Sequence, residues 1–334
     1  PSQRPRMRHV DRRSGKAGRL AAQWPRSVGT YGSANPVWSA DDSTIIFSAE
    51  DGGAQHLWSL PLTAEQPTAI AHGGHIAAFS MCAKSDALVY TKSSIDHPAR
   101  LYATNARTEP ADELSASAIL PAAKRLDRLN AFLDKIPLGT WQSRTFKGWK
   151  GEPVQAFVCY PPNYDARKKY PLLQDIHGGP HAAHLDVWHY RWNVHAFAAQ
   201  GYVVAAVNYH GSSGFDEKFL GSIDGDLGPR ELADTEAVTD ALIKEGVVDK
   251  DRLYAAGGSY GGFMVAWMNG HTDRYKAYVC HAGVYNWTTQ FGDDGYLWLK
   301  HELGVWPWEN LEKYQSQSPH AFSKNFKTPT LVIH

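Results

Sequence analysis

Residues 257 to 262 read Gly-Gly-Ser-Tyr-Gly-Gly, a hydroxyl flanked on both sides by residues that lack side chains. The run follows the apolar, strand-like stretch 252–256 and precedes the helix-like stretch 263–269. A strand running straight into a helix forces a sharp turn at Ser259, which is tolerated only where neighbouring side chains cannot clash. A hydroxyl presented in this way attacks a carbonyl once a base takes its proton and donors meet the oxyanion. A glycine-rich run is also compatible with a plain turn, and its setting between strand and helix is what favours Ser259 as a nucleophile.

The oxyanion donors are also readable. His177, Gly178, Gly179 and Pro180 follow the apolar stretch 172–176, where a backbone N–H of such a loop faces the developing negative charge. Gly178 and Tyr260 are the two expected backbone donors, and losing one such donor costs about 3 kcal/mol of transition-state stabilisation. A proline-glycine turn is the bland alternative for this loop. His177, His181 and His184 cluster within eight positions, but glycine and proline break any helix that would align them and no acidic or thiol partner repeats nearby, so no metal is expected. They read as loop residues lining a cleft.

The elements that would position this chemistry alternate. From about residue 140, strands are expected at 154–160, 172–177, 202–208, 253–256, 277–280 and 330–333. Helices are expected at 188–200, closed by Gly201, and at 231–245, stopped by Gly246. This alternation predicts an α/β domain, a parallel-rich sheet with helices on both faces. Val203 to Val207 is apolar throughout, as a central parallel strand requires. A serine at the carboxyl end of the next strand faces the crevice where open α/β sheets bind ligands.

The first part of the chain repeats instead. Residues 38–47 (WSADDSTIIF) and 79–90 (FSMCAKSDALVY) share an aromatic residue, a serine, a polar turn and a strand, offset by 41. Leu57 and Trp58 correspond to Leu101 and Tyr102 at an offset of 44, and residues 10–20, with a turn at Ser14 and Gly15, resemble the tail of a third unit. A period in the forties built of short strands marks propeller blades. We expect about two and a half blades over residues 1–114, a connection over 115–139, and the α/β domain over 140–334. A small independent β domain is the alternative for the first part, and two and a fraction blades suggest a piece of a larger protein.

At 334 residues, 43% hydrophobic and 12% aromatic, the chain supports two domains. Lys plus Arg equal Asp plus Glu at 34 each, which gives no global field for nucleic acid or an anionic membrane. Arginines crowd before residue 20, read as a solvated face or, alternatively, a basic arm. No run of 18 apolar residues is present, and compartment and oligomeric state are not legible. Cys82, Cys159 and Cys280 are widely spaced and read as buried free thiols.

GGSYGG, HGGP and residues 208–215 (NYHGSSGF), together with the blade repeats, resemble the prolyl oligopeptidase family of serine peptidases over roughly residues 10–334. The resemblance implies a partial β-propeller over an α/β-hydrolase domain that hydrolyses short peptides without a cofactor. It implies that Ser259 is the nucleophile, that Tyr260 and Gly178 donate to the oxyanion, and that Val284 and Trp287, with His177, contact substrate. Plain core packing is the alternative for Val284 and Trp287. His210 departs from the arginine that many members carry there. The family's order of serine, aspartate, histidine implies that both remaining triad members lie beyond His334, at the end of the last strand. Asp293 or Asp294 as acid and His281 or His301 as base are alternatives within the chain. An esterase using the same serine, or a module that only binds peptides, are the alternative functions.

Overall fold

The computed structural model describes residues 7–10, 17–28, 34–85, 87–105, 123–293 and 295–334. Strands Val37–Trp38, Thr44–Asp51, Ala54–Pro61 and Thr68–Ala71 pair antiparallel in chain order to form one sheet. Phe79–Met81, Ala87–Ser94, His97–Asn105 and Lys124–Arg125 form a second of the same design. Trp38 and Phe79 thus open two equivalent sheets, and Trp58 and Tyr102 occupy their third strands. The fourth strand of the second sheet comes from the stretch expected as a connection.

Each sheet buries its faces against neighbours, as a blade must. Ile46, Leu57, Ile70, Leu88 and Tyr90 pack in one core. On the other side Trp24 meets Phe47 and Trp58 edge-on, at 5.5 and 5.1 Å between ring centroids. Arg8–Val10 pairs with Ala17–Arg19 in the expected hairpin. Its turn residues Ser14 and Gly15, the early Arg4, Arg6, Arg12 and Arg13, and residues 106–122 lie outside the described residues.

The second part is a seven-stranded sheet built from Trp141–Lys147 (β1), Pro153–Cys159 (β2), Tyr170–Ile176 (β3), Val203–Asn208 (β4), Val248–Gly258 (β5), Ala277–His281 (β6) and Thr330–Ile333 (β7). Its order is β1-β2-β4-β3-β5-β6-β7, antiparallel across β1, β2 and β4 and parallel from β4 to β7. All six expected strands are present. Strand β1 escaped the sequence because it is a half-exposed edge that buries only Phe146.

Alternation along β4 sends side chains to both faces. Val203, Ala205 and Val207 face Val238 and Leu242 of the helix Pro229–Lys244, while Val204 packs with Ala198 of the helix Val194–Ala198. The helix expected at 188–200 is confined to Val194–Ala198. Asn193 caps it, accepting from the N–H groups of His195 and Ala196, and His189 Nδ1 accepts from the N–H groups of Arg191 and Trp192. These side-chain acceptors hold residues 189–193 in a turn that competes with helix. Cys159 and Cys280 are buried free thiols as expected, but Cys82 is exposed in a turn. Among the described residues no helix is long and apolar enough to cross a membrane.

Candidate active site

Strand β5 is held between β3 and β6, with Gly257 opposite Ile176 and Gly258 opposite His281. At its end Ser259 adopts φ 58° and ψ −118°, and the helix Tyr260–His271 begins at the next residue. A non-glycine residue at positive φ marks backbone strain of about 1–3 kcal/mol. The surroundings enforce it. A Cβ on Gly261 would sit 2.1 Å from the Ile176 carbonyl oxygen, and one on Gly257 would sit 2.5 Å from the Gly261 carbonyl oxygen. Only glycine lets the helix start this close to the strand ends. Tyr260 to Gly270 are all buried, so the helix is fixed by packing on every side while Ser259 stays exposed.

The His177–Pro180 loop lies over the serine. A Cβ on Gly178 would come 3.3 Å from Ser259 Cβ and 3.0 Å from the Gly258 carbonyl oxygen. Tyr260 contributes a first-turn amide, which has no intrahelical acceptor and faces the region where helix N-termini stabilise negative charge. The two expected donors are therefore neighbours of Ser259.

Several buried groups hold them there. The His177 ring stacks on Tyr209 at 4.1 Å, with Nδ1 2.7 Å from the Gly178 carbonyl oxygen and Nε2 2.9 Å from Ser212 Oγ. Burial, with His184 alongside, pushes its pKa well below the ordinary value, so the ring is neutral. It lines the cavity at Ser259, but both nitrogens are engaged. Tyr260 donates its hydroxyl to Glu231 Oε1 at 2.5 Å, and Glu231 also accepts from the N–H of Gly228. Burial raises the Glu231 carboxyl to about 7, against the lowering effect of Tyr260.

His210, the departure from arginine, is 1% exposed and lies in a layer behind the site. Its Nδ1 and backbone N–H both lie 2.7 Å from Asp234 Oδ2, and its Nε2 is 3.3 Å from Glu152. Burial lowers its pKa, but Asp234 and Glu152 outweigh that and raise it overall. A protonated imidazole between two carboxylates supplies the positive charge an arginine would bring.

A cavity of about 650 Å³ opens at Ser259. Gly178, His177 and His281 line it together with Phe157 and Ala206 of the sheet and Ile95 from a blade hairpin. Val284 and Trp287, expected against substrate, are not in its wall. Trp287 is fully buried, donates Nε1–H to the Gln317 carbonyl oxygen, and packs on Phe263 at 4.7 Å. Core packing, the alternative reading, describes it.

Of the in-chain candidates for a base, His281 is the near one: its carbonyl oxygen accepts from the Ser259 N–H at 2.9 Å and its ring lines the cavity. Among the described residues no hydrogen bond joins its ring to Ser259 Oγ. His301 lies instead beside Glu302, 3.8 Å from Nδ1 to Oε1, and lines a different pocket. Asp293 is not in the cavity wall, and Asp294 lies outside the described residues. The Ala282 N–H donates to the Ile333 carbonyl oxygen, which sets the end of β7 at the same sheet edge as Ser259.

The three clustered histidines diverge. His184 lines the cavity, whereas His181 places Nε2 3.0 Å from Glu302 and 3.8 Å from Asp224, and Nδ1 2.8 Å from the Gly211 carbonyl oxygen. Burial lowers the His181 pKa, but Glu302 and its neighbours raise it overall, so the group is an ion-paired tether between loops. His181, Asp224 and Glu302 are also the one group of metal-ligand type among the described residues. Sequence reasoning missed Asp175, Glu231 and Asp234, because nothing in their spelling separates a buried acid from a solvated one.

Residues 188–334 match the model of the prolyl oligopeptidase family. Dipeptidyl-peptidase 5 of Porphyromonas gingivalis is 33% identical over 304 residues, 89% of this chain and 42% of that protein. Dipeptidyl-peptidase 5 of Schizosaccharomyces pombe is 30% identical, over 96% of this chain and 45% of that protein. The chain thus spans less than half the length of these relatives. Among solved structures, the Pyrococcus horikoshii acylaminoacyl peptidase superposes with a TM-score of 0.81 at 24% identity, covering 96% of this chain and 48% of that one. Dipeptidyl peptidase 4 of Porphyromonas gingivalis gives 0.77 at 19% identity, covering 98% and 44%. Both likenesses show the fold: an α/β-hydrolase sheet preceded by propeller blades.

Proposed function

The chain belongs to the prolyl oligopeptidase family, and from that premise we propose that it carries the nucleophile of a serine peptidase that hydrolyses short peptides. Ser259 Oγ attacks the scissile carbonyl carbon, and the tetrahedral oxyanion is held by the N–H groups of Gly178 and Tyr260. Collapse expels the amine and leaves an acyl group on Ser259, which water then hydrolyses. As in the triad the family resemblance implies, a base oriented by an acid takes the Ser259 hydroxyl proton and gives it to the departing amine. The relatives named dipeptidyl-peptidase favour release of two-residue units from a peptide end. His177 acts through the Gly178 loop that it braces, and the blade hairpin carrying Ile95 narrows the approach to the site.

The observation that carries this reading is the strained, exposed Ser259 at a strand–helix junction with the Gly178 loop over it. A fluorophosphonate probe tests it directly. Labelling of the wild-type protein that disappears in Ser259→Ala is expected, and equal labelling of both would remove Ser259 from the reaction. Side-by-side assay of peptide amides and aryl esters then separates peptidase from esterase, since ester cleavage with no amide cleavage would sink the peptidase reading.

A further inference from the structure

His181, Asp224 and Glu302 come from three separate segments: the loop after β3, the turn that ends Gly221–Ile223, and the helix Tyr296–Leu303. Their ligand atoms nevertheless lie within 4.8 Å of one another. The imidazole is oriented from its far side. His181 Nδ1 is 2.8 Å from the Gly211 carbonyl oxygen, which can only accept, so Nδ1 carries a proton and Nε2 faces the two carboxylates. Nε2 stands 3.0 Å from Glu302 Oε2 and 3.8 Å from Asp224 Oδ1. A proton on Nε2 reaches Glu302 alone, since 3.8 Å is beyond a hydrogen bond. Glu302 is 2% exposed, where an under-compensated carboxylate is costly. Other contacts hold the segments in place. The Gly225 N–H donates to the Glu302 backbone carbonyl at 2.6 Å, Gln317 bridges the Leu227 N–H and the Gly225 carbonyl, and the Ser213 N–H donates to the Ala182 carbonyl.

We propose that His181, Asp224 and Glu302 form a binding site for a divalent transition-metal cation of the zinc type, a structural clamp set apart from the cavity at Ser259. None of the three lines that cavity. Tetrahedral zinc with bonds of ~2.0 Å sets its ligands ~3.3 Å apart, which falls between the two distances from His181 Nε2. A ligating histidine is ordinarily fixed by donating its other ring N–H to a carbonyl or carboxylate, as His181 does to Gly211. Two carboxylates neutralise a divalent ion, whereas a proton on the imidazole leaves one negative charge in excess, so the ion displaces that proton. Asp224 and Glu302 also line a second cavity of about 580 Å³, which gives the ion a way in and a water the fourth position. The imidazole disfavours magnesium and calcium, which take oxygen donors. Lys300 and Lys313 stand in the same wall and temper the affinity, although Lys300 Nζ donates to the Gly304 carbonyl oxygen at 3.2 Å. An ion held here ties the segment that follows Gly178 to the helix Tyr296–Leu303.

Calorimetry of the metal-stripped protein with zinc chloride tests the site without any turnover. Wild-type protein should bind one zinc with a Kd of about 1 μM, and magnesium chloride about 100-fold more weakly or worse. His181→Gln keeps a side-chain N–H for Glu302 but loses the imidazole, and Asp224→Asn alters an exposed side chain. Each should weaken zinc by about tenfold or more while keeping the metal-free thermal midpoint. With 16 histidines in the chain, zinc can also bind elsewhere, so full affinity retained in both variants overturns the proposal. A wild-type Kd weaker than about 100 μM overturns it too, as does equal affinity for magnesium. Cobalt chloride added to wild-type protein decides the matter if a variant fails to fold. The intense visible absorption of four-coordinate Co²⁺, abolished by one equivalent of zinc, is expected, and the faint spectrum of six-coordinate Co²⁺ overturns the site.

Discussion

The two halves of this molecule solve burial in opposite ways. The blades are regular: paired antiparallel sheets with shallow cores between them, and positive-φ glycines at open hairpin tips such as Gly52. The α/β domain is regular only within its sheet. Along one edge it crowds a strained serine, glycines with no room for a Cβ, and acids driven out of water. The blade tips meet that edge through backbone donors, as where Asp186 accepts from the N–H groups of Gly74 and Ile95. Backbone strain collects along that edge, and the repeating half contributes Ile95 to the wall of the cavity beside it.

A matched pair of substitutions tests this contrast most severely. In Gly261→Ala the new methyl meets the Ile176 carbonyl at 2.1 Å, a backbone atom that cannot turn aside. We expect a loss of about 4 kcal/mol or more in denaturant unfolding, and no fluorophosphonate labelling of what remains folded. Gly52→Ala sits at φ 59° with nothing within 4 Å of the new Cβ, so it should cost only about 1 kcal/mol of left-handed strain. Similar losses at the two positions would break the contrast.

A buried acid should reveal itself next, through pH. Burial raises Asp175 from 3.8 to about 7. The folded state then holds a proton that the unfolded state has released, so stability is greatest below pH 4, falls as pH rises toward 7, and levels off above. Asp175→Asn lacks this slope. The difference between wild-type and variant unfolding free energies should therefore change by up to about 4 kcal/mol between pH 4 and pH 8, in the direction of relative gain for the variant at high pH. Glu231 carries the same sign of shift, and subtracting the variant curve removes it. A pH-independent difference would show that Asp175 is solvated or paired.

What was legible in the sequence follows the same divide. The blades announced themselves because a repeated architecture repeats the same residue types, at offsets of 41 and 44. The turn at Ser259 and the loop at Gly178 were legible because a strand–helix junction and a close backbone approach demand glycines at neighbouring positions. The layer that holds them was not. The helix Pro229–Lys244 buries Glu231, Asp234, Thr235, Val238, Thr239 and Leu242, a helical stripe in which only Val238 and Leu242 are apolar. Hydrophobic periodicity sees those two and overlooks the acids that support Tyr260 and His210. Residues 188–193 failed in the reverse direction, since their aromatic and apolar spacing suggests helix while the side chains of His189 and Asn193 capture the backbone N–H groups. Val284 and Trp287 carry the family pattern, yet Trp287 belongs to the core that backs the helix Tyr260–His271.

The smallest expected effect lies where a blade tip touches the α/β domain at a solvent-exposed contact. Asp96, in the hairpin that follows Ile95, places Oδ1 3.3 Å from His195 Nε2, and His195 Nδ1 lies 3.5 Å from Cys159 Sγ. The order of thiol, imidazole and carboxylate resembles a catalytic relay, but burial raises the Cys159 thiol to about 12, so no thiolate forms near neutrality. The Asp96 side chain is 52% exposed, and water screens its charge. Asp96→Asn keeps the oxygen acceptor and should change stability by less than about 0.5 kcal/mol, with no change in iodoacetamide reactivity at Cys159. Rapid alkylation of Cys159 that slows in the variant would give this tip a chemical role and erase the distinction between a reactive edge and an inert wall.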